Sequence, residues 1–209
     1  MATRLLLLRH GESEGNAARI LQGRFDSPLS DTGRAQAHLT GSALAGEGID
    51  RIIASPLLRA AETAEVVASY LELEPAHHEG LLEYDMGAAS GKTWPEIRDE
   101  FAGVFEKLAE GERPTFPGEE GRRNFAGRVA ATLREVASSE GTTLLVTHGG
   151  VIGAMCHLTM GMDYVTGSRF SVSNCSITEL RSSPGGTLIL RRTNDVCHLL
   201  GNETQLDLG

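Results

Sequence analysis

The stretch Leu5-Leu6-Leu7-Leu8-Arg9-His10-Gly11-Glu12 is an unbroken apolar run that stops abruptly on a basic residue, an imidazole and a glycine. Periodicity does not separate strand from helix in so short a run, but its length is that of a strand, so Thr3 to Leu8 reads as a buried strand. In open α/β sheets, ligands bind in the crevice beyond the carboxyl ends of the strands. His10 therefore stands where catalysis is expected.

Working outward, Thr142 to Thr147 is a second strand with the same ending, His148-Gly149-Gly150. If the two strands are neighbours in a parallel sheet, both imidazoles reach one crevice, where glycine lets the backbone turn sharply and approach a ligand closely. Arg51 to Ala54 is a third strand. Ser55-Pro56 after it offers a helix cap and a first-turn proline, and Leu57, Ala60, Ala61, Ala64, Val67, Ala68 and Leu71 come next at helical spacing. Arg59 falls in the first turn of that helix. Asp31 or Thr32 could cap another helix running to about Gly46, with Ala35, Leu39 and Leu44 on its inner face.

Helical periodicity returns from Gly121 to Ser138 through Phe125, Val129, Leu133 and Val136, and Val151 to Met160 can form a further helix. Ser176 to Arg181 and Thr187 to Arg192 flank Pro184-Gly185-Gly186 like an antiparallel hairpin. From Gly80 to Gly121 the pattern is irregular, with one helix expected between Trp94 and Ala109; this segment could cover a site. Strands alternating with helices predict an α/β fold, a three-layer α/β/α sandwich around a mainly parallel central sheet. The length of 209 residues suits a single domain, 1–209.

The composition, 40% hydrophobic and 22% charged, is that of a globular protein, and the formal charge of -9 argues against a surface built to wrap nucleic acid. Leu5 to Leu8 is too short for a signal-peptide core, and no stretch approaches the roughly 20 apolar residues of a membrane span. A cytoplasmic address without membrane partners is the expectation. Cys156, Cys175 and Cys197 are odd in number and read as buried free thiols.

A phosphoryl group suits the two strand-end histidines, because imidazole can accept it covalently while the guanidinium forks of Arg9 and Arg59 match its oxygens. A structural, hydrogen-bonded role is the bland reading of either histidine alone; two identical strand endings weaken it. Cys175 and Arg181 have the Cys-x5-Arg spacing of a thiolate phosphatase, but Ser176 to Leu180 alternates like a strand and has no glycine to form an anion-binding loop. His77-His78-Glu79 lacks a spaced second pair of ligands and reads as a surface turn. Neither of the glycine-rich nucleotide loops is present, so no metal or cofactor is called for.

These residues carry a resemblance. The chain resembles the histidine phosphatase superfamily, in its cofactor-dependent phosphoglycerate-mutase-like branch. Leu8-Arg9-His10-Gly11-Glu12-Ser13 is similar to the family signature, and Asn16, Gln22-Gly23, Asp26, Pro28-Leu29 and Gly33 with Gln36-Ala37 fit the pattern usual after that signature. Ser55-Pro56-Leu57-Leu58-Arg59-Ala60, Leu82-Glu83 and Val146-Thr147-His148-Gly149-Gly150 complete four ordered segments. The resemblance implies a phosphoglycerate-mutase-like fold over the whole chain as one catalytic domain, with residues 80–121 as cover.

It also implies roles. His10 is the nucleophile that becomes phosphohistidine, and Arg9, Arg59 and His148 surround the transferring group. Glu83 is the proton donor to the leaving oxygen, with Asp85 as the alternative. Asn16, Gln22, Gly23 and Gly149 are the expected substrate-binding residues. The expected partner is a small phosphorylated metabolite, and a homodimer is compatible with the family.

Two departures bear on the reaction. Tyr84-Asp85-Met86-Gly87 lacks the basic and aromatic sequence that the mutases carry after the acid, and Ala88-Ala89-Ser90-Gly91 lacks the Trp-Glu pair of many phosphatases. The stretch from Glu83 to His148 is short for a mutase, whose insertions keep water from the phosphohistidine. A phosphomonoesterase is favoured over a phosphoglycerate mutase, and both over a phosphate-binding regulator without turnover.

Overall fold

A computed structural model describes residues 3–109, 115–164 and 168–200. The strands are β1 (Thr3–Arg9), β2 (Ile20–Leu21), β3 (Arg51–Ala54), β4 (Pro75–His77), β5 (Lys92–Thr93), β6 (Gly141–Thr147), β7 (Ile177–Ser182) and β8 (Leu188–Asp195). The helices are α1 (Glu14–Ala17), α2 (Asp31–Leu44), α3 (Leu58–Leu71), α4 (Trp94–Glu100), α5 (Ala102–Ala109), α6 (Arg122–Ala137) and α7 (Gly149–Thr159).

Six strands form the central sheet in the order β4-β3-β6-β1-β7-β8. β4, β3, β6 and β1 run parallel, and the β7–β8 hairpin adds an antiparallel edge. The register pairs Arg9 with Thr147 and Ala54 with Val146, so β1, β3 and β6 end level with one another. The two histidine–glycine endings thus lie on adjacent strands, which meets the condition for both imidazoles to reach one crevice, and the His10 amide donates to the Thr147 carbonyl at 2.9 Å.

Side-chain alternation assigns the layers. Leu6, Leu8, Ile52, Ala54, Leu144 and Val146 pack under Ala37 and Leu44 of α2 and Ala60, Ala64 and Val67 of α3. Leu5, Leu7 and Leu145 point the other way, toward Phe125, Val129 and Leu133 of α6 and Val151 and Met155 of α7. All four leucines of β1 are fully buried, each worth about 1.5–3 kcal/mol of transfer free energy. That run is buried on both faces because helices cover the sheet on both sides, which is why it reads as continuous rather than alternating.

Several boundaries differ from the sequence expectation. The cap of α2 is Ser30, whose hydroxyl accepts the Gly33 amide at 3.0 Å, and the helix ends at Leu44. Helix α3 starts at Leu58 after an extended Leu57, and the Asp26 carboxylate accepts the Leu58 amide at 2.8 Å, so Ser55 is not its cap. The span from Trp94 to Ala109 is two helices, because the backbone at Phe101 leaves helical geometry (φ -119, ψ 38) and its ring packs against the Ala89, Ile97 and Phe116 cluster. Cys197 is exposed, contrary to the expectation of a buried thiol; it begins a 3-10 turn after β8, while Cys156 and Cys175 are buried.

Within the segment 80–121, the described residues 80–109 and 115–121 build a small core of their own. β5 pairs with β2, and Leu21, Met86, Val104 and Phe105 close around Ala89, Ile97 and Phe116. Among the described residues no helix is long and apolar enough to cross a membrane.

Candidate active site

Three strand ends supply the centre. His10 follows β1, His148 follows β6, and Arg59 rises from the first turn of α3 after β3. All three are buried, at 3%, 1% and 1% exposure. The imidazoles of His10 and His148 stand 5.2 Å apart between ring centroids, tilted by 59°. His10 Nδ1 lies 2.7 Å from its neighbour's carbonyl, Gly11 O. Since a carbonyl only accepts, Nδ1 carries the proton and Nε2 keeps its lone pair, the form a nucleophile needs.

Two arginines, Arg59 buried and Arg9 partly buried, hold the charge. Arg59 Nη1 donates to the Phe25 carbonyl at 3.0 Å and Nη2 to the Gly23 carbonyl at 2.8 Å, which fixes the plane of the guanidinium, while its buried Nε has no partner among the described residues. Arg9 Nη1 donates to the Val172 carbonyl. Burial, and then the charges of Arg9 and Arg59, hold His10 well below the usual histidine range. His148 is held well below it too, by burial first and then by Arg59, His10, Arg9 and Arg128. Burial also lowers Arg59, against the pull of Glu83 and Asp26, but a guanidinium remains charged.

Glu83 reaches this centre from a loop. Its Oε2 accepts the Gly150 amide in the first turn of α7 at 3.0 Å, and its Oε1 accepts the Tyr84 amide at 2.8 Å. The close approach explains the second glycine after His148: a Cβ at Gly150 would lie 2.3 Å from Glu83 Oε1. Asp85 turns elsewhere, accepting the Gly87 amide at 2.9 Å and facing Arg24 at 3.8 Å. Of the two carboxylates, the structure brings Glu83 to the histidine pair.

A buried imidazole with a free Nε2, a second imidazole, two guanidiniums and a carboxylate in one pocket can take up a phosphoryl group, neutralise its oxygens and protonate a leaving group. The sequence profile of the histidine phosphatase superfamily (branch 1) matches residues 5–195. The chain belongs to that superfamily.

Its relatives include both reaction types. A Salmonella paratyphi B protein named "Probable phosphoglycerate mutase GpmB" is 32% identical over 200 residues, covering 92% of this chain and 93% of the relative. The mycobacterial glucosyl-3-phosphoglycerate phosphatase structure superimposes with a TM-score of 0.78 at 27% identity, covering 93% of this chain and 99% of the other. Phosphoserine phosphatase from Entamoeba histolytica, solved in complex with 3-phosphoglyceric acid, gives 0.80 at 28% identity, covering 95% and 100%.

In this histidine phosphatase the remaining expected residues are placed differently from one another. Asn16 closes the short α1: its Oδ1 accepts the Ser13 amide at 3.1 Å and lies 3.4 Å from Asn174 Nδ2. Gln22 is buried with its Oε1 taken by the Ser13 and Ser27 hydroxyls at 3.0 and 2.8 Å, so that oxygen braces the loop. Gly23 offers its carbonyl to Arg59, and Gly149 abuts Arg9, a Cβ there falling 3.8 Å from Arg9 Nε.

The thiolate reading has no geometric basis here. Burial pushes the Cys175 thiol up to about 12, and Arg181 lies on β7 paired with Glu179. His77 is exposed at the end of β4, and His78 faces Glu135 at 3.3 Å.

Three contributors escape sequence reasoning. Arg128 donates to the carbonyls of Gly80 at 3.0 Å and Leu82 at 2.8 Å and pairs with Glu120, clamping the loop that carries Glu83. A basic residue three positions after Phe125, on the edge of an apolar stripe, is its only signal. Asn174 donates to the His10 carbonyl at 3.0 Å from a loop without periodicity. Ser55, which reads as a cap, instead meets His148 at 2.7 Å.

Proposed function

We propose that this protein is a phosphomonoesterase that hydrolyses small phosphorylated metabolites through a phosphohistidine on His10. The observation that carries the reading is the buried His10–His148 pair within the charge of Arg9 and Arg59, with His10 Nδ1 tied to Gly11 O and Nε2 left as the nucleophile.

In the first step, His10 Nε2 forms a bond to phosphorus as the ester P–O bond breaks, and the departing alkoxide takes a proton from the acid form of Glu83. Arg9, Arg59 and His148 bind the three equatorial oxygens, whose charge spreads in the transition state. Asn16 and the backbone at Gly23 and Gly149 border that group, with Gln22 bracing the loop. In the second step, water gives a proton to the Glu83 carboxylate and attacks phosphorus, the N–P bond breaks, and inorganic phosphate leaves with His10 neutral again. Each proton has a named donor and acceptor, and no metal or cofactor enters.

Hydrolysis is preferred over isomerisation because the cover is small. A mutase must shield its phosphohistidine from water while the substrate reorients, and the stretch from Glu83 to His148 is short for that task. The mutase name of the 32%-identical relative keeps isomerisation as the second reading. A panel of phosphate esters, assayed with and without a bisphosphorylated primer, separates them: phosphate release without primer is expected, and primer-dependent conversion of 3-phosphoglycerate to 2-phosphoglycerate outpacing release would reverse the assignment.

The same reading treats residues 1–209 as one catalytic domain acting in the cytoplasm on a small-molecule partner, as a monomer or homodimer. The net charge of -9 gives no support to a large basic face for nucleic acid.

A further inference from the structure

Ser55 follows β3 and is fully buried. Its Oγ lies 2.7 Å from His148 Nε2 and accepts the Leu57 amide at 3.4 Å. A hydroxyl has one proton to place, and among the described residues Ser55 Oγ has no acceptor other than His148 Nε2. If Nε2 carried a hydrogen, that hydroxyl proton would be stranded in the interior. The satisfied arrangement has Ser55 donating to Nε2, which leaves the imidazole's single proton on Nδ1.

His148 Nδ1 is itself buried and has no partner among the described residues. A fully enclosed donor without a protein acceptor is uncommon in a protein interior, and a phosphoryl oxygen beside the ring would satisfy it. Burial first, and then the nearby Arg59, His10, Arg9 and Arg128, disfavour a second proton on the ring. A neutral imidazole has one N–H to give, so the tautomer decides whether His148 can donate to a phosphoryl oxygen or presents it with a repelling lone pair.

We infer that Ser55 is a positioning residue for phosphoryl transfer: by donating to His148 Nε2 it locks the Nδ1–H tautomer, so that His148 offers a hydrogen bond rather than a lone pair to the phosphoryl group on His10. The inference rests on the phosphohistidine reading for its catalytic consequence, while the tautomer itself is a property of the substrate-free protein.

Long-range ¹⁵N–¹H correlation of the His148 ring in the wild-type protein tests it without any variant. A protonated Nδ1 and an unprotonated Nε2 are expected, with the Nδ1 resonance moving when inorganic phosphate is added; a proton on Nε2 would overturn the assignment. In Ser55→Ala the ring should spread over both tautomers, and the rapid-quench rate of phosphohistidine formation from an aryl phosphate should fall about ten- to a hundred-fold. Ser55→Thr, which keeps the hydroxyl, should restore the Nδ1–H signature. A Ser55→Ala protein that stays on the Nδ1–H tautomer contradicts the inference, whatever its rate. If wild-type His10 never takes label, the phosphohistidine reading fails while the ring spectrum still decides the role of Ser55.

Discussion

At the residue scale, the site works by burying basic groups against one another until something anionic is needed. His10 and His148 share a pocket with Arg9 and Arg59, and burial and the two guanidiniums keep protons off both rings. Both rings are neutral when folded but protonate below about 6.5 once unfolded, so the unfolded chain binds more protons there, and stability falls as pH drops from about 6.5 toward the folded values. Tracking the ring resonances during an acid titration should show both in neutral form at pH 6.5; half-protonation at that pH would show that the pocket does not desolvate them. Glu83 carries a separate expectation. Glu83→Gln should slow esters with poor leaving groups by about 10²- to 10⁴-fold and nitrophenyl esters far less, since a good leaving group needs no proton. Equal losses across a leaving-group series would remove Glu83 from the acid role.

At the scale of elements, the catalytic groups are held by strand ends and one clamped loop. Arg128 of α6 binds the carbonyls of Gly80 and Leu82 and the Glu120 carboxylate, so a helix on the sheet's face fixes a loop at its edge. Arg128→Met keeps much of the apolar stem but removes the nearer cation from the partly buried Glu120, which retains Arg24 at 3.6 Å. It should destabilise the protein by about 1–3 kcal/mol in chemical denaturation and reproduce the leaving-group dependence of Glu83→Gln. Loss of stability with an unchanged leaving-group profile would make Arg128 a structural residue alone. The strands are legible because four leucines buried on both faces and two histidine–glycine endings need no tertiary information to be noticed. Helix starts are less so. Asp31 or Thr32 reads as the α2 cap and Ser55 as the α3 cap in sequence, yet Ser30 caps α2, while Ser55 is drawn to His148 and Asp26 takes over the α3 amide. The break at Phe101 is hidden for a related reason: an aromatic side chain that helical spacing tolerates is pulled into the cover's own core.

At the scale of the whole molecule, the parallel order β4-β3-β6-β1 brings together endings far apart in sequence, and the level register of β1, β3 and β6 places His10, His148 and Arg59 at one edge. His10, Arg9, Arg59 and His148 are readable because they sit in segments whose residue types announce them. Asn174 and Arg128 are not, because their contribution is a hydrogen bond to backbone made only after folding. In the proposed reading, residues 80–121 form a short cover that favours transfer of the phosphoryl group to water. The central claim is that His10 carries that group, and rapid acid-free quenching after mixing with a ³²P-labelled phosphate ester, with peptide mapping of the product, tests it most directly. An acid-labile, base-stable label on the peptide containing His10, formed and lost at rates compatible with turnover and absent from His10→Ala, is the predicted result. Turnover that persists in His10→Ala, or label found on another residue, would contradict it.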